Sequence, residues 1–376
     1  MKTLLGGYYS PKGTLRYYER ALEGIGEVTY CGVPYRFERP GYAPDANIAE
    51  MASRGAWDWY FYVEEWKSVF PLGINEVPFP TVGYLPDACY DIPRRKRMAS
   101  FFDYVFISQR WLVDEFRAVN PQTYYLPFAF DPGRLQGFSL AVEPIFEVGF
   151  VGSLDKERAR MLEKLSKRFK MNDYRADSSS KPLEYATEVY LHSKIVFNRL
   201  PLGYKDYNLR VFEALGLKRF LITDRPSGEN PLLKHRQHLA YYEREDDLVE
   251  LVSHHLRDDR DREAIAEEGH REVMGRHTYD HRVRRIWEIM AENGFRMQAP
   301  LRKARVDAVF LGYQKVFGRL MMLDSMANLF TQPEVSFTAR LRALPYVVLA
   351  VLHRLRQMGW RKFVASFLTQ FRRNGN

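Results

Sequence analysis

The stretch Ser193-Lys194-Ile195-Val196-Phe197-Asn198-Arg199 is followed by Asn208-Leu209-Arg210-Val211-Phe212-Glu213-Ala214-Leu215-Gly216 and then by Phe220-Leu221-Ile222-Thr223-Asp224. It reads as a buried strand, a loop, a helix with Asn208, Arg210 and Glu213 in its first turn, and a second buried strand ending in a polar turn. In open α/β sheets, ligands bind beyond the carboxyl ends of the strands, where loop N–H groups and helix amino termini converge. A helix start offers partial positive charge to a diphosphate, Arg210 adds a bidentate donor, and Glu213 can accept from two vicinal ribose hydroxyls. Together these groups supply what a nucleotide sugar requires.

Outward from this stretch the same alternation continues. Upstream, Phe146-Glu147-Val148-Gly149-Phe150-Val151-Gly152 reads as a strand running straight into a charged helix over 155–168, and a helix over 183–192 precedes the strand at 194–199. Downstream come a short strand at 239–242 and helices at 246–257, 262–274 and 279–293. The first part of the chain repeats the pattern, with strands at 2–8, 27–31, 58–63, 80–85, 103–107 and 123–126 and helices at 14–23 and 110–119. Alternating strands and helices predict parallel sheets. The expected fold class is therefore α/β, with doubly wound domains over 1–135 and 145–278 and a closing helix over 279–295. Beyond Pro300 only helical patterns remain. Val348, Leu352, Leu355, Val364, Phe367, Leu368 and Phe371 keep largely to steps of three and four, with arginines off the stripe, and Pro345 and Gly359 are expected to break these helices.

The chain has 376 residues and a net charge of +9, from 56 Lys+Arg against 47 Asp+Glu. That charge is not spread evenly. Residues 301–376 hold 13 basic and 3 acidic residues, a net of +10, and the preceding 300 are close to neutral at −1. The basic character thus belongs to the helical extension at 300–376 and bears on where the protein works. Cys31 and Cys89 are too few for a metal cage, and two unpaired thiols suit a reducing compartment. The amino terminus lacks an apolar stretch long enough for a signal peptide, and the run from Ala343 to Leu352 is far shorter than the roughly 20 residues that span a bilayer. A cytoplasmic location, with possible attachment to the inner face of the cell membrane, is expected.

No GxxxxGK[ST] loop, HExxH helix or GxSxG elbow occurs, which removes the commonest NTPase, zincin and hydrolase readings. Gly24-Ile25-Gly26 precedes a strand instead of following one and reads as a turn. His235 and His238 lack a third ligand. Asp259-Arg260-Asp261 lies in a charged stretch between helices, where its carboxylates are not held for a cation. No metal is expected.

Several of these segments resemble the GT-B glycosyltransferases of group 1 (GT4-like), and most closely their CgeB-like spore-maturation branch. Phe150-Val151-Gly152-Ser153 with Arg158 resembles the FVGS-x4-R opening of the second domain. His277-Thr278-Tyr279 with Arg282 resembles the HTYxxR start of the closing helix. In the first domain, Thr81 to Asp87 resembles the strand ending in a conspicuous Asp, and Leu126-Pro127-Phe128-Ala129 the segment leading into the interdomain linker. The resemblance covers about residues 1–292 and leaves the extension unexplained. It implies two Rossmann-like domains facing a cleft, a nucleoside-diphosphate sugar held mainly by the second and an acceptor held mainly by the first.

By this resemblance Glu213 binds the ribose, Asn208 and Arg210 are the polar positions before it, Gly152 and Ser153 form the phosphate-side loop, and Arg158 is the basic residue after that loop. Asn198 closes the preceding strand. One position departs from the pattern. Broader GT4 enzymes carry a second Glu eight residues before the ribose-binding one, where this chain has Lys205. The cations Arg210, Lys205 and Arg158 are then the candidates to stabilise the departing diphosphate. If transfer inverts the sugar, Asp87 is the candidate base; a retaining course, usual among the GT4-like relatives, does not need one. The reaction expected is metal-independent sugar transfer with no cofactor besides the donor substrate, to a glycan, lipid-linked or protein acceptor. A non-catalytic GT-B assembly subunit is the rival. For the basic extension, with Trp360, Phe363, Phe367 and Phe371 near its apolar side, two readings stand level: an anionic membrane surface, or packing on protein. Nucleic acid is disfavoured for want of a reading motif.

Overall fold

The computed structural model describes residues 1–9, 13–31, 33–34, 48–65, 71, 73–176, 181, 184–227, 232–297 and 335–358, with scattered positions from 307 to 330. The described strands form two sheets, both parallel. In the first, β1 (Lys2–Tyr9), β2 (Glu27–Tyr30), β3 (Val33–Pro34), β4 (Trp59–Val63), β5 (Thr81–Leu85), β6 (Tyr104–Ile107) and β7 (Thr123–Tyr125) take the order β2-β1-β4-β5-β6-β7, with β3 added to the end of β1. Every residue of β4, β5 and β6 is buried. Helices on both faces of a parallel sheet impose this, and it explains why Trp59-Tyr60-Phe61-Tyr62-Val63 is continuously apolar.

The second sheet runs β11-β10-β9-β8, from β8 (Phe146–Gly149), β9 (Ser193–Phe197), β10 (Phe220–Asp224) and β11 (Ala240–Tyr242). The helices are α1 (Thr14–Glu23), α2 (Ile48–Ser53), α3 (Ile92–Ala99) and α4 (Val113–Arg117) around the first sheet, and α5 (Lys156–Ser166), α6 (Glu184–Leu191), α7 (Leu209–Gly216), α8 (Leu248–Arg257) and α9 (Asp259–Arg276) around the second. Helix α10 (Tyr279–Glu292) and helix α11 (Phe337–Met358) follow.

Most elements fall within a residue or two of expectation, and the differences have local causes. The strand expected over 146–152 stops at Gly149, because Asn172 takes over the next backbone pair: its Oδ1 accepts the Phe150 N–H at 2.9 Å and its Nδ2 donates to the Phe150 carbonyl at 2.9 Å. The helix expected over 110–119 is a 3-10 turn, Arg110–Leu112, followed by the short α4. Helix α7 begins at Leu209 with Asn208 at its N-cap, so Glu213 lies in the second turn and not the first. The Asp259-Arg260-Asp261 triplet opens α9 instead of lying between helices.

The chain crosses between domains twice, and the two crossings are bonded together. Phe130 donates its N–H to the His277 carbonyl at 2.8 Å, and Tyr279 donates to the Phe130 carbonyl at 3.1 Å. Helix α10 then returns to the first domain, where Tyr279, Val283, Ile286, Ile289 and Met290 share a core with Leu5, Leu15, Tyr18 and Phe61. Arg282, 6% exposed, donates to the carbonyls of Pro127 and Phe128 and ties the helix to the outgoing crossing.

The extension packs on the first domain. Val335, Ala339, Ala343 and Ala350, with Phe310 and Met326, join one core with Leu4, Tyr62, Leu85, Phe102 and Val105. The break expected at Pro345 does not occur: the proline lies inside α11. A mid-helix proline removes one backbone hydrogen bond and costs about 3 kcal/mol. Here Pro345 is on the exposed side, where water can solvate the orphaned carbonyl, and the alanines on the other side hold the helix to the core. Gly359 and the segment with Trp360, Phe363, Phe367 and Phe371 lie outside the described residues.

Candidate functional site

The carboxyl ends of both sheets face each other, and the loops leaving them meet. In the second domain, Asn198 follows β9, the Phe150–Asp155 loop follows β8, and Asp224 ends β10. Asn198 is fully buried and organises the centre. Its Nδ2 donates to Thr223 Oγ1 at 2.9 Å and to Asn208 Oδ1 at 3.1 Å, while its Oδ1 accepts from Arg210 Nη1 at 2.5 Å. Asn208 is thereby turned toward Asn198, and its side chain does not cap α7. The amino-terminal N–H groups of that helix keep their partial positive charge for a ligand.

Arg210 is 8% exposed and lies beneath the loop after β8. Its Nε and Nη2 donate to the Val151 carbonyl at 3.0 and 2.7 Å, its Nε also reaches Tyr190 Oη at 3.1 Å, and its guanidinium covers the Phe150 ring at 4.5 Å. The expected diphosphate ligand is therefore first of all the brace that shapes the phosphate-side loop. Gly152 sits at φ +152°, and a Cβ there would collide with Arg210 Nη2. Gly152→Ala is accordingly expected to displace Arg210 and weaken nucleotide binding by about tenfold or more, since it combines backbone strain with loss of charge-assisted hydrogen bonds. Titration calorimetry with nucleoside diphosphates reads this directly, and unchanged affinity would refute the brace.

Arg158, from α5, completes the loop. Its Nη1 donates to the Ser153 carbonyl at 3.2 Å, and its Nε and Nη2 donate to the Arg199 carbonyl at 3.1 and 2.6 Å. Burial, and next the charge of Arg210, push its pKa down to about 10. Two buried guanidiniums thus share one corner beneath a loop whose Gly152 is half-buried and Ser153 exposed, and Asp155 at 3.6 Å is the ion-pair partner of Arg158. An anion in this corner would relieve the mutual repulsion.

Glu213 projects from α7 and is 9% exposed. Its Oε1 pairs with Arg134 Nη1, which also donates to Tyr17 Oη at 3.1 Å; Arg134 Nη2 reaches Thr187 Oγ1 at 3.0 Å. Among the described residues Oε2 has no hydrogen bond, which leaves it for a ligand hydroxyl. Burial works most strongly against the charge of Arg134, but Glu213, and after it Tyr17 and Tyr190, together outweigh burial and raise the arginine's pKa.

Across the cleft, Asp87 lies just past β5 and accepts a hydrogen bond from Tyr204 Oη of the second domain. Burial raises its pKa above the ordinary value, against the hydrogen bond from Tyr204 and the nearby charge of Arg95. Glu64, directly after β4, binds Arg95 Nε at 2.6 Å and Arg94 Nη2 at 3.2 Å. Lys205 is not brought to the guanidinium corner by any described contact. It is exposed, with its ammonium 4.3 Å from the Trp111 ring and its N–H bonded to Gln109 Oε1 at 3.1 Å. Arg110 N–H donates to Asp206 Oδ2 at 2.7 Å beside it. The 204–206 loop is thus a latch on the first domain.

Gly6 and Gly7 lie inside β1, and Gly13, before α1, does not open onto a vacant anion cradle. A Cβ on Gly13 would overlap the Glu65 carboxylate, whose Oε1 accepts the Leu15 N–H at 3.0 Å and the Thr14 hydroxyl at 3.2 Å at the start of α1. Burial lifts the Glu65 pKa to about 7 despite these donors. A carboxylate raised in the folded state contributes stability fully below its unfolded pKa of about 4.5, and that contribution is lost as pH rises through 7. Melting temperature is therefore expected to fall between pH 5 and 7.5 through this group, and Glu65→Gln to flatten that fall; an identical pH profile in the variant would count against it.

Arg134, Tyr204 and Tyr190 are missed by the sequence reading. Arg134 is 79 positions from Glu213 in the chain, and nothing local announces the pair. His277 is buried as a neutral ring, its pKa pushed down to about 3 by burial and the charge of Arg282, and it accepts from Arg282. His235 and His238 each accept a backbone N–H, from Tyr241 and Lys234.

Comparison with known proteins agrees with this frame. Residues 154–288 match the family described as glycosyl transferase-like. HepE of Anabaena, solved in complex with UDP and glucose, superposes with a TM-score of 0.55 at 13% identity, covering 78% of this chain and 100% of that one. Sucrose-phosphate synthase of Thermosynechococcus elongatus gives a TM-score of 0.50 at 13% identity over 78% of this chain and 98% of that one. WaaG, a glycosyltransferase involved in lipopolysaccharide biosynthesis, gives 0.50 at 11% identity over 77% and 99%. No curated protein matches the chain. Two facing Rossmann-like domains, with a helical carboxyl-terminal region, make this a GT-B fold whose second domain matches the glycosyl transferase-like family.

Proposed function

We propose that the protein transfers a sugar from a nucleoside-diphosphate sugar to a cell-surface glycan, glycolipid or protein acceptor. The observation that carries this is the buried corner of Arg158 and Arg210 under Gly152 and Ser153, with Glu213 on the same helix as Arg210 presenting an open carboxylate oxygen. The corner takes the diphosphate, and Glu213 takes the ribose hydroxyls. The UDP and glucose in HepE, which has the same fold, support the donor class. In the transfer, the bond between the anomeric carbon and the diphosphate oxygen breaks, the electron pair leaves with the diphosphate, and the acceptor hydroxyl oxygen bonds to the carbon. Fixed guanidiniums and the α7 amino terminus stabilise the departing charge without a metal or other cofactor. The course is retaining, so the acceptor proton passes to the leaving phosphate oxygen, and Asp87 serves to hold Tyr204 and close the cleft. Lys205 acts in that same closure.

Incubation with a panel of nucleotide sugars, with and without EDTA, tests this. Turnover of one donor at an EDTA-insensitive rate, with the anomeric configuration kept by NMR, is expected. Nucleotide binding without turnover on any donor or acceptor favours the non-catalytic assembly subunit, and the replacement of the family's second Glu by Lys205 is the feature on which that reading stands. This reading puts the work of the protein in the cytoplasm, at the inner face of the cell membrane, where a lipid-linked acceptor would be met.

A further inference from the structure

Helix α11 has two apolar sides, and one of them has no cover among the described residues. At 100° per residue, Ala339, Ala343 and Ala350 lie on one side and are buried in the first domain's core. Phe337, Leu341, Leu344, Val348 and Leu352, at steps of four, three, four and four, form a stripe on the other side and are 72, 49, 46, 53 and 50% exposed. Leu349, 63% exposed, widens it. The 22-residue helix has four arginines, Arg340, Arg342, Arg354 and Arg356, and no acidic residue. Arg342 and Arg356 are exposed along the edge of the stripe. No described helix is long and apolar enough to cross a membrane.

We infer that α11 is an in-plane docking surface for an anionic lipid bilayer. Burial of one side against the protein fixes the axis, the stripe enters the headgroup–acyl boundary along roughly 33 Å of helix, and the flanking arginines meet lipid phosphates. The choice of a bilayer over a protein partner rests on charge: a wholly basic helix with a continuous apolar edge complements a negatively charged surface. Pro345 suits this placement, since its missing N–H leaves a carbonyl on the outward side, at the wet depth of the headgroups. The inference deepens the proposed sugar transfer by naming the surface on which its acceptor would be presented, and lipid binding is read without any turnover.

The test is flotation of the full chain with vesicles of phosphatidylcholine alone or with phosphatidylglycerol. Co-flotation with the anionic vesicles is expected, weakening as salt rises. The pair Arg342→Glu and Arg356→Glu is expected to reduce partitioning by about 25-fold or more, at about fivefold per arginine near an anionic surface. The pair Leu341→Glu and Val348→Glu is expected to reduce it about a hundredfold by removing the apolar contact. Both pairs are at exposed positions and should keep the wild-type melting curve and donor turnover. The inference is overturned if the full chain ignores anionic vesicles, or if Leu341→Glu with Val348→Glu floats like wild type. It is overturned equally if those substitutions instead dissolve a dimer in sedimentation, which would make a second copy the occupant. A chain that floats but turns over no donor keeps this inference and removes only the catalytic reading.

Discussion

Glu213→Ala is expected to abolish measurable donor turnover and to lower the melting temperature in the same stroke. The first effect follows from the open Oε2: a carboxylate accepting from ribose hydroxyls contributes about 1.5–3 kcal/mol per charged hydrogen bond, so losing two weakens donor binding by a hundredfold or more. The second follows from Arg134, which is buried and keeps Tyr17 and Thr187 as partners but loses the one carboxylate it pairs with among the described residues. Stranding a buried charge costs about 3–5 kcal/mol. The two effects can be separated. Glu213→Gln retains the hydrogen-bonding shape and should lose less stability than Glu213→Ala, while Glu213→Leu combined with Arg134→Met should recover much of the melting temperature without recovering turnover. Calorimetry with the nucleotide and a thermal melt together check this. Turnover at the wild-type rate in Glu213→Ala would remove the residue from the site.

Ending the chain near residue 300 is expected to destroy the first domain, not trim an appendage. Removal of Phe310, Met326, Val335, Ala339, Ala343 and Ala350 would uncover one face of the core that contains Leu85, Phe102, Val105 and Leu112. Each large apolar side chain uncovered costs roughly 1.5–3 kcal/mol, against a whole-protein stability of only about 5–15 kcal/mol. Aggregation or a broad, non-cooperative melt is the expected result, and a monomeric product with the full-length melting temperature would contradict it. Adjacent substitutions make a finer version of the test. Ala343→Asp buries a charge and should unfold the domain, whereas Leu344→Asp, one position on and exposed, should leave the melt unchanged.

Where periodicity and burial agree, the fold was legible. Helix α1 was expected at its observed bounds, because its apolar residues keep helical spacing, and β4 and β9 stand out as apolar runs that only a buried parallel sheet accommodates. Helix α3 was not legible. Its sequence, Ile92-Pro93-Arg94-Arg95-Lys96-Arg97-Met98-Ala99, has no apolar stripe, since half of its buried face is Arg94 and Arg95 paired with Glu64, just past β4. A hydrophobic pattern cannot reveal a face buried by ion pairing. For the extension the sequence leaves packing on protein level with a membrane surface, because alanines spaced along an arginine-rich helix give a weak signal for a core; the structure packs it on the first domain.

The site was legible by residue type more than by role. Asn198, Asn208, Arg210, Arg158, Gly152 and Ser153 do gather at the ends of β8 and β9. Yet the donors of Arg210 are directed largely at Val151, Tyr190 and Asn198, and Lys205 engages Trp111 in the other domain. Spacing identifies which groups share a loop, but partners drawn from distant segments, such as Arg134 for Glu213, depend on the assembled sheets.

The bond pairing of Phe130 with His277 and Tyr279 has a kinematic consequence. Two separate tethers would let one half of the molecule twist, slide and tilt against the other. Two tethers fastened to each other at a single point behave as one joint, so the halves cannot slide past each other there and any relative motion turns about it. The bonds of Tyr204 to Asp87 and of Arg110 to Asp206 act as the clasp, so any parting of the carboxyl ends of the two sheets has to break them.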